Sequence, residues 1–165
     1  MTLTVLIVDD DDDFRGFVKR QLGQGVRVIG EAARGDDAVL LATELHPHVV
    51  LMDLDLPGLD GIAATRQIKA ADPRTKVILM TAYDEQAYLS STGKTGADAL
   101  LPKRAVRTEV LSRIRAVVRG FWGAWDGRER RGTGPTTGRW DGRERRRPEP
   151  PEETGGPTPE EGTER

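Results

Sequence analysis

Three runs of consecutive aliphatic residues constrain this chain more than any other feature: Val5-Leu6-Ile7-Val8, Val49-Val50-Leu51-Met52 and Val77-Ile78-Leu79-Met80. Such a run has no polar face. A strand built from it has to be covered on both sides, as in a parallel sheet sandwiched between helices. Shorter apolar pieces at Val26–Ile29 and Ala99–Leu101 supply two further strands, which gives β1 to β5 in chain order. Between them lie helical patterns: α1 over Phe14–Leu22, α2 over Asp37–Leu45, α3 over Ile62–Ala71, α4 over Glu85–Lys94 and α5 over Thr108–Arg119. In the last of these, Val110, Leu111, Ile114, Val117 and Val118 recur every three to four residues, an apolar stripe for the sheet. Gly23 and Gly25, Pro47, Asp72-Pro73 and Gly96 punctuate the pattern where the chain has to turn. The alternation predicts an α/β fold, a doubly wound five-stranded parallel sheet with helices on both faces.

Composition divides the chain in two. Residues 120–147 hold eight arginines against four acids, and residues 148–165 hold six glutamates against one arginine. From Gly120 onward there are ten glycines and six prolines, and few apolar side chains. Too little apolar surface is available there to offset chain entropy. A folded domain over 1–119 and a low-complexity, largely disordered tail over 120–165 are therefore expected. The chain has no cysteine, which excludes disulfide frameworks and thiolate metal sites. A net charge of −2 removes the simplest case for a nucleic-acid binder. No apolar run reaches membrane-spanning length and the N-terminus is unlike a signal peptide, so a cytoplasmic protein is expected.

In open doubly wound sheets, ligands bind outside the C-terminal ends of the strands. There β1 runs into Asp9-Asp10, β3 into Asp53 and then Leu54-Asp55, β4 into Thr81, and β5 into Pro102-Lys103. Carboxylates crowded together raise one another's pKa unless a cation neutralises them. A hard cation such as Mg²⁺, which takes oxygen ligands and keeps some water, suits such a set. A lysine and a hydroxyl across the site suit the remaining oxygens of a phosphoryl group. Taken singly, each residue has a plainer account: Asp9–Asp13 as an acidic helix start, Asp53 as a loop acid, Thr81 as a helix cap, Lys103 as a surface charge. Their joint placement at successive strand ends favours phosphoryl transfer with a carboxylate nucleophile.

The segments Val5–Asp10, Val50–Gly61, Val77–Ala82 and Gly96–Lys103 resemble, in order and spacing, the receiver domain of two-component response regulators. The likeness covers residues 3–119 and is strongest to receivers of the NarL/LuxR type. It implies that Asp53 accepts a phosphoryl group from a histidine kinase or phosphotransfer protein. It implies Mg²⁺ held by Asp10 and Asp53 with Asp9 behind them and the Asp55 carbonyl completing the protein ligands. Lys103 would then contact the phosphoryl group, and Thr81 would report it. Partner binding or a homodimer would use the α4–β5–α5 face. Two positions depart from the family pattern: Leu100 stands where an aromatic residue is usual, and Pro102 precedes the lysine instead of following it.

Two other readings remain at this stage. Asp53-Leu54-Asp55 has the Asp-x-Asp form of haloacid-dehalogenase-type phosphatases, although in those it follows the first strand. A phosphorylation-independent interaction module would fit Leu100. No recognisable output domain follows residue 119 in the sequence. The tail instead repeats Trp-Asp-Gly-Arg-Glu-Arg-Arg at Trp125 and Trp140. Arginine clusters with a tryptophan can bind nucleic acid by charge and stacking, but a solvated linker accounts for them more simply.

Overall fold

The structure, a computed structural model, describes residues 2–83 and 95–122, with side chains up to Arg119. Five parallel strands, β1 Leu3–Val8, β2 Val26–Ala32, β3 Val49–Asp53, β4 Lys76–Thr81 and β5 Ala99–Pro102, form one sheet in the order β2-β1-β3-β4-β5. The helices are α1 Asp12–Gln21, α2 Gly35–Leu45, α3 Gly61–Ala71 and α5 Val106–Trp122, the last entered through a short 3₁₀ turn, Lys103–Ala105. Residues 120–122 of the expected tail belong to α5, while the α4 expected over Glu85–Lys94 and residues 123–165 of that tail lie outside the described residues. Among the described residues no helix is long and apolar enough to cross a membrane.

The continuous apolar runs are explained by what they touch. Alternate residues of each strand enter one of two cores. Leu6, Val8, Val50, Met52, Val77, Leu79 and Leu100 pack with Ala38 and Ala42 of α2 and with Ala64 and Ile68 of α3. Val5, Ile7, Val49, Leu51, Ile78, Met80 and Leu101 pack with Val18 of α1 and with Val106, Val110, Ile114 and Val118 of α5. The expected strand β2 continues three residues beyond Ile29, because Gly30, Glu31 and Ala32 pair with Leu6, Ile7 and Val8. At this sheet edge Glu31 meets Arg15 and Lys19 from α1, which makes a charged residue acceptable in a strand. Pro102 closes β5 at the opposite edge, where its missing N–H costs no ladder bond.

The five-aspartate run has two jobs. Asp11 caps α1, accepting from the N–H groups of Asp13 and Phe14, and Asp12 and Asp13 fill the first turn, where the helix dipole favours acids. Asp9 and Asp10 are thereby left at the strand end. At α3 the cap is Asp60, which accepts from Ala63 N–H at 2.8 Å. The next residue has to be glycine for a steric reason: a Cβ on Gly61 would stand 2.0 Å from the Asp53 carbonyl oxygen. The start of α3 is thus pressed against the backbone that carries Asp53.

Two substitutions test this packing. Gly61→Ala should destabilise the protein by about 1–3 kcal/mol through forced displacement of backbone. Gly16→Ala, inside α1 with its nearest neighbour 3.5 Å away at the flexible end of Arg20, should stabilise by about 0.5–1 kcal/mol. Urea unfolding midpoints of the two variants should move in opposite directions.

Candidate functional site

The order of the sheet places β1 beside β3, β3 beside β4 and β4 beside β5, so the four sequence-nominated ends lie at one edge. Asp53 is level with Met80, one residue before Thr81, and Thr81 is level with Pro102, one residue before Lys103. The Lys103 ammonium stands 2.8 Å from Asp9 Oδ2 and 3.1 Å from Asp53 Oδ2. Asp9 is wholly buried and Asp53 is 3% exposed. Asp10 is exposed, yet it contributes a carboxylate oxygen to a cluster in which Asp9, Asp10 and Asp53 each have one oxygen within 4.8 Å of the others. Asp55 is exposed and its carboxylate is not one of the three. Thr81 is buried, and its Oγ1 accepts a hydrogen bond from Tyr83 N–H at 3.0 Å.

Electrostatically the site is short of positive charge. Asp9 Oδ1 accepts from Asp11 N–H at 3.0 Å, and the buried Asp9 Oδ2 faces the Lys103 ammonium at 2.8 Å. Burial, and then the charge of Asp9, push the Asp53 carboxyl up to about 6 against the pull of Lys103. Burial alone would lower the Lys103 pKa, but its bond to Asp9 and the charges of Asp53 and Asp9 outweigh that and raise it. The cluster sets three carboxylates against one ammonium. The excess of two negative charges, with converging oxygens, matches a divalent cation in charge and in ligand type.

Two residues of the site were not nominated from the sequence. The Phe14 ring lies under the Lys103 ammonium, 4.7 Å from Nζ to the ring centroid. The Arg15 guanidinium reaches back to the Asp9 carbonyl oxygen at 2.6 Å and also pairs with Asp12 and Glu31. Both sit in the first turn of α1, directly after Asp12 and Asp13. In sequence, nothing separates them from an ordinary core phenylalanine and an ordinary surface arginine.

Residues 5–115 match the family of the response regulator receiver domain. Response regulator GacA of Pseudomonas protegens is 38% identical over 120 residues, which cover 72% of this chain and 56% of the relative. Response regulator UvrY of Escherichia coli K12 is also 38% identical, over 72% of this chain and 55% of its own length. The chain thus spans a little over half the length of these relatives. Among solved structures, a LuxR-family two-component response regulator from Aurantimonas sp. SI85-9A1 aligns with a TM-score of 0.67 at 31% identity. That alignment covers 73% of this chain and 87% of the other. The CheX–CheY–BeF3–Mg²⁺ complex from Borrelia burgdorferi aligns with a TM-score of 0.64 at 27% identity, over 70% and 88% of the two chains.

The raised Asp53 pKa has a consequence for stability. A carboxyl that holds its proton to about pH 6 when folded and to about 4 when unfolded binds more protons in the folded state between those values. Its contribution to stability is therefore present below pH 4 and is lost as pH rises through 6, by at most roughly 3 kcal/mol. In chelator, Asp53→Asn should be more stable than the parent at pH 7.5. The difference should vanish towards pH 4, as thermal unfolding across that range would show.

Proposed function

We infer the role of this chain from family and site together: it belongs to the response regulator receiver domains of two-component signalling, and we propose Asp53 as its phosphoacceptor. The observation that carries this is the Asp53 carboxylate itself, nearly desolvated, 3.1 Å from the Lys103 ammonium and grouped with Asp9 and Asp10. A desolvated carboxylate with a pKa near 6 is ionised at neutral pH and is more basic than a solvated one. Both properties favour it as a nucleophile. In the proposed reaction an Asp53 oxygen attacks phosphorus while the P–N bond of a phosphohistidine on a kinase or phosphotransfer protein breaks. The departing imidazole keeps the electron pair and takes a proton from water.

Asp10 and Asp53 would hold Mg²⁺, with Asp9 behind them and the Asp55 carbonyl as a further ligand. The bound ion would neutralise the carboxylates and withdraw charge from the phosphoryl oxygens. Lys103, 3.1 Å from Asp53 Oδ2, would contact a phosphoryl oxygen. The Thr81 hydroxyl, while accepting from Tyr83 N–H, keeps its own proton to donate to a phosphoryl oxygen. The haloacid-dehalogenase reading needs Asp55 as a second working carboxylate, and that carboxylate lies outside the cluster.

The output of the modification depends on Leu100, which is buried among Leu79 and the other aliphatic residues of the α2–α3 core. A leucine enclosed in this way has no ring to swing between a core and a surface position. We therefore assign the switch to Thr81 and the Tyr83 loop, with a small population shift. The α4–β5–α5 face is the proposed surface for a partner or a second copy.

Incubation with Mg²⁺ and acetyl phosphate should add one phosphoryl mass, stable in acid and labile in base, with the site assigned to Asp53 by reductive trapping. Asp53→Asn should take none. Asp10→Ala should weaken Mg²⁺ binding and slow labelling together, and chelation should abolish labelling. Full labelling of Asp53→Asn would falsify the assignment.

A further inference from the structure

Phe14 is unused by the chemistry just described, although its ring faces the Lys103 ammonium at 4.7 Å. Its position is fixed from two sides. Its backbone N–H is tied to the Asp11 cap at 3.1 Å, and its ring is packed at 5.9 Å from that of Phe17, both against the core beneath α1 and α5. The ammonium it faces is also paired with Asp9 and Asp53 and is only partly exposed. A cation over an aromatic face is attracted by the ring quadrupole, and more strongly where water is partly excluded. Unlike the Asp53 carboxylate, the ring is unaltered when Asp53 is modified.

We propose that Phe14 is a positioning residue for phosphoryl transfer: its ring is the fixed platform that keeps the Lys103 ammonium at the Asp53 oxygen before and after that oxygen is esterified. The proposal rests on Asp53 being the phosphoacceptor. Its physical content is a restriction of the four-carbon lysine stem. Without the ring, the ammonium would keep its two carboxylate partners in the resting state. Once Asp53 is esterified and its charge has moved outward, it would be free to collapse onto Asp9. The ring opposes this as a third partner of the ammonium. Phe14→Leu retains an apolar side chain but removes the quadrupole, whereas Phe14→Tyr and Phe14→Trp retain it.

The test uses the full chain with saturating Mg²⁺ and acetyl phosphate. It follows the rate of mass addition and the lifetime of the phosphoryl group after the donor is removed. Phe14→Leu should slow labelling by about three- to tenfold, the range expected for loss of a partly desolvated cation–π contact. Its Mg²⁺ affinity should be unchanged, and Phe14→Tyr should restore the rate. A second measurement reads the placement directly. The ε-methylene protons of Lys103 should show an upfield ring-current shift in NMR spectra of the parent and Phe14→Tyr, and not of Phe14→Leu. A parent that labels while Phe14→Leu labels equally fast overturns the role of Phe14. So does equal slowing in Phe14→Leu and Phe14→Tyr, which would mark a purely packing effect. A parent that takes no label overturns the phosphoacceptor reading, and the transfer role of Phe14 with it.

Discussion

One ammonium holds two buried carboxylates together at the end of this sheet, and the rest of the structure is arranged around that imbalance. Removing charges from water costs far more than a single ion pair returns unless the geometry is enforced. Here the enforcement comes from secondary structure. Asp9 and Asp53 terminate adjacent strands, and Lys103 follows the last residue of an edge strand whose register with β4 is fixed. None of the three can relax far without breaking ladder bonds or leaving one of the two cores. The like-charge repulsion is therefore retained in the fold instead of being relieved by it, and it is visible in the elevated Asp53 pKa.

The sheet order explains why these groups meet. From β1, an interior strand, the chain winds outward once to β2 and then in the other direction through β3, β4 and β5. The crevice at such a reversal lies between β1 and β3, the two strands that end in Asp9 and Asp53. The loop after β3 is held closed against this crevice by Gly61, whose missing Cβ lets α3 sit on the Asp53 carbonyl. A glycine and a capping aspartate thus decide how firmly Asp53 is presented.

The fold was legible because its strongest signal, strands buried on both faces, is written in consecutive residues. Val49–Met52 could be read directly, and so could the Asp-Asp, Asp53, Thr81 and Lys103 ends that converge. The division of labour within Asp9–Asp13 was not legible. Five identical side chains differ only in backbone position, and the helix starts two residues earlier than hydrophobic periodicity indicates because Asp12 and Asp13 contribute charge, not burial. Phe14 and Arg15 were missed for a related reason. What they do depends on a residue some ninety positions away or on a backbone carbonyl, and neither leaves a mark in local pattern. Glu31 extends β2 against its own propensity, because its partners on α1 are tertiary ones.

Arg15 shows how the fold tolerates a site under this much internal repulsion. If the turn after β1 could yield, Asp9 would rotate towards water and the cluster would come apart. Its carbonyl, however, accepts from Arg15 Nη1, and its Oδ1 accepts from Asp11 N–H. Main chain and side chain of the same residue are therefore held by two different partners in α1 and its cap. Arg15 is in turn anchored by Glu31 on β2 and by Asp12 on its own helix, so its positive charge is already matched where it sits. It can brace the turn mechanically while adding little net charge beside the cluster. The deficit of positive charge at Asp9, Asp10 and Asp53 consequently stays unfilled by the protein, and under the proposed function that residual charge is what a divalent cation would neutralise.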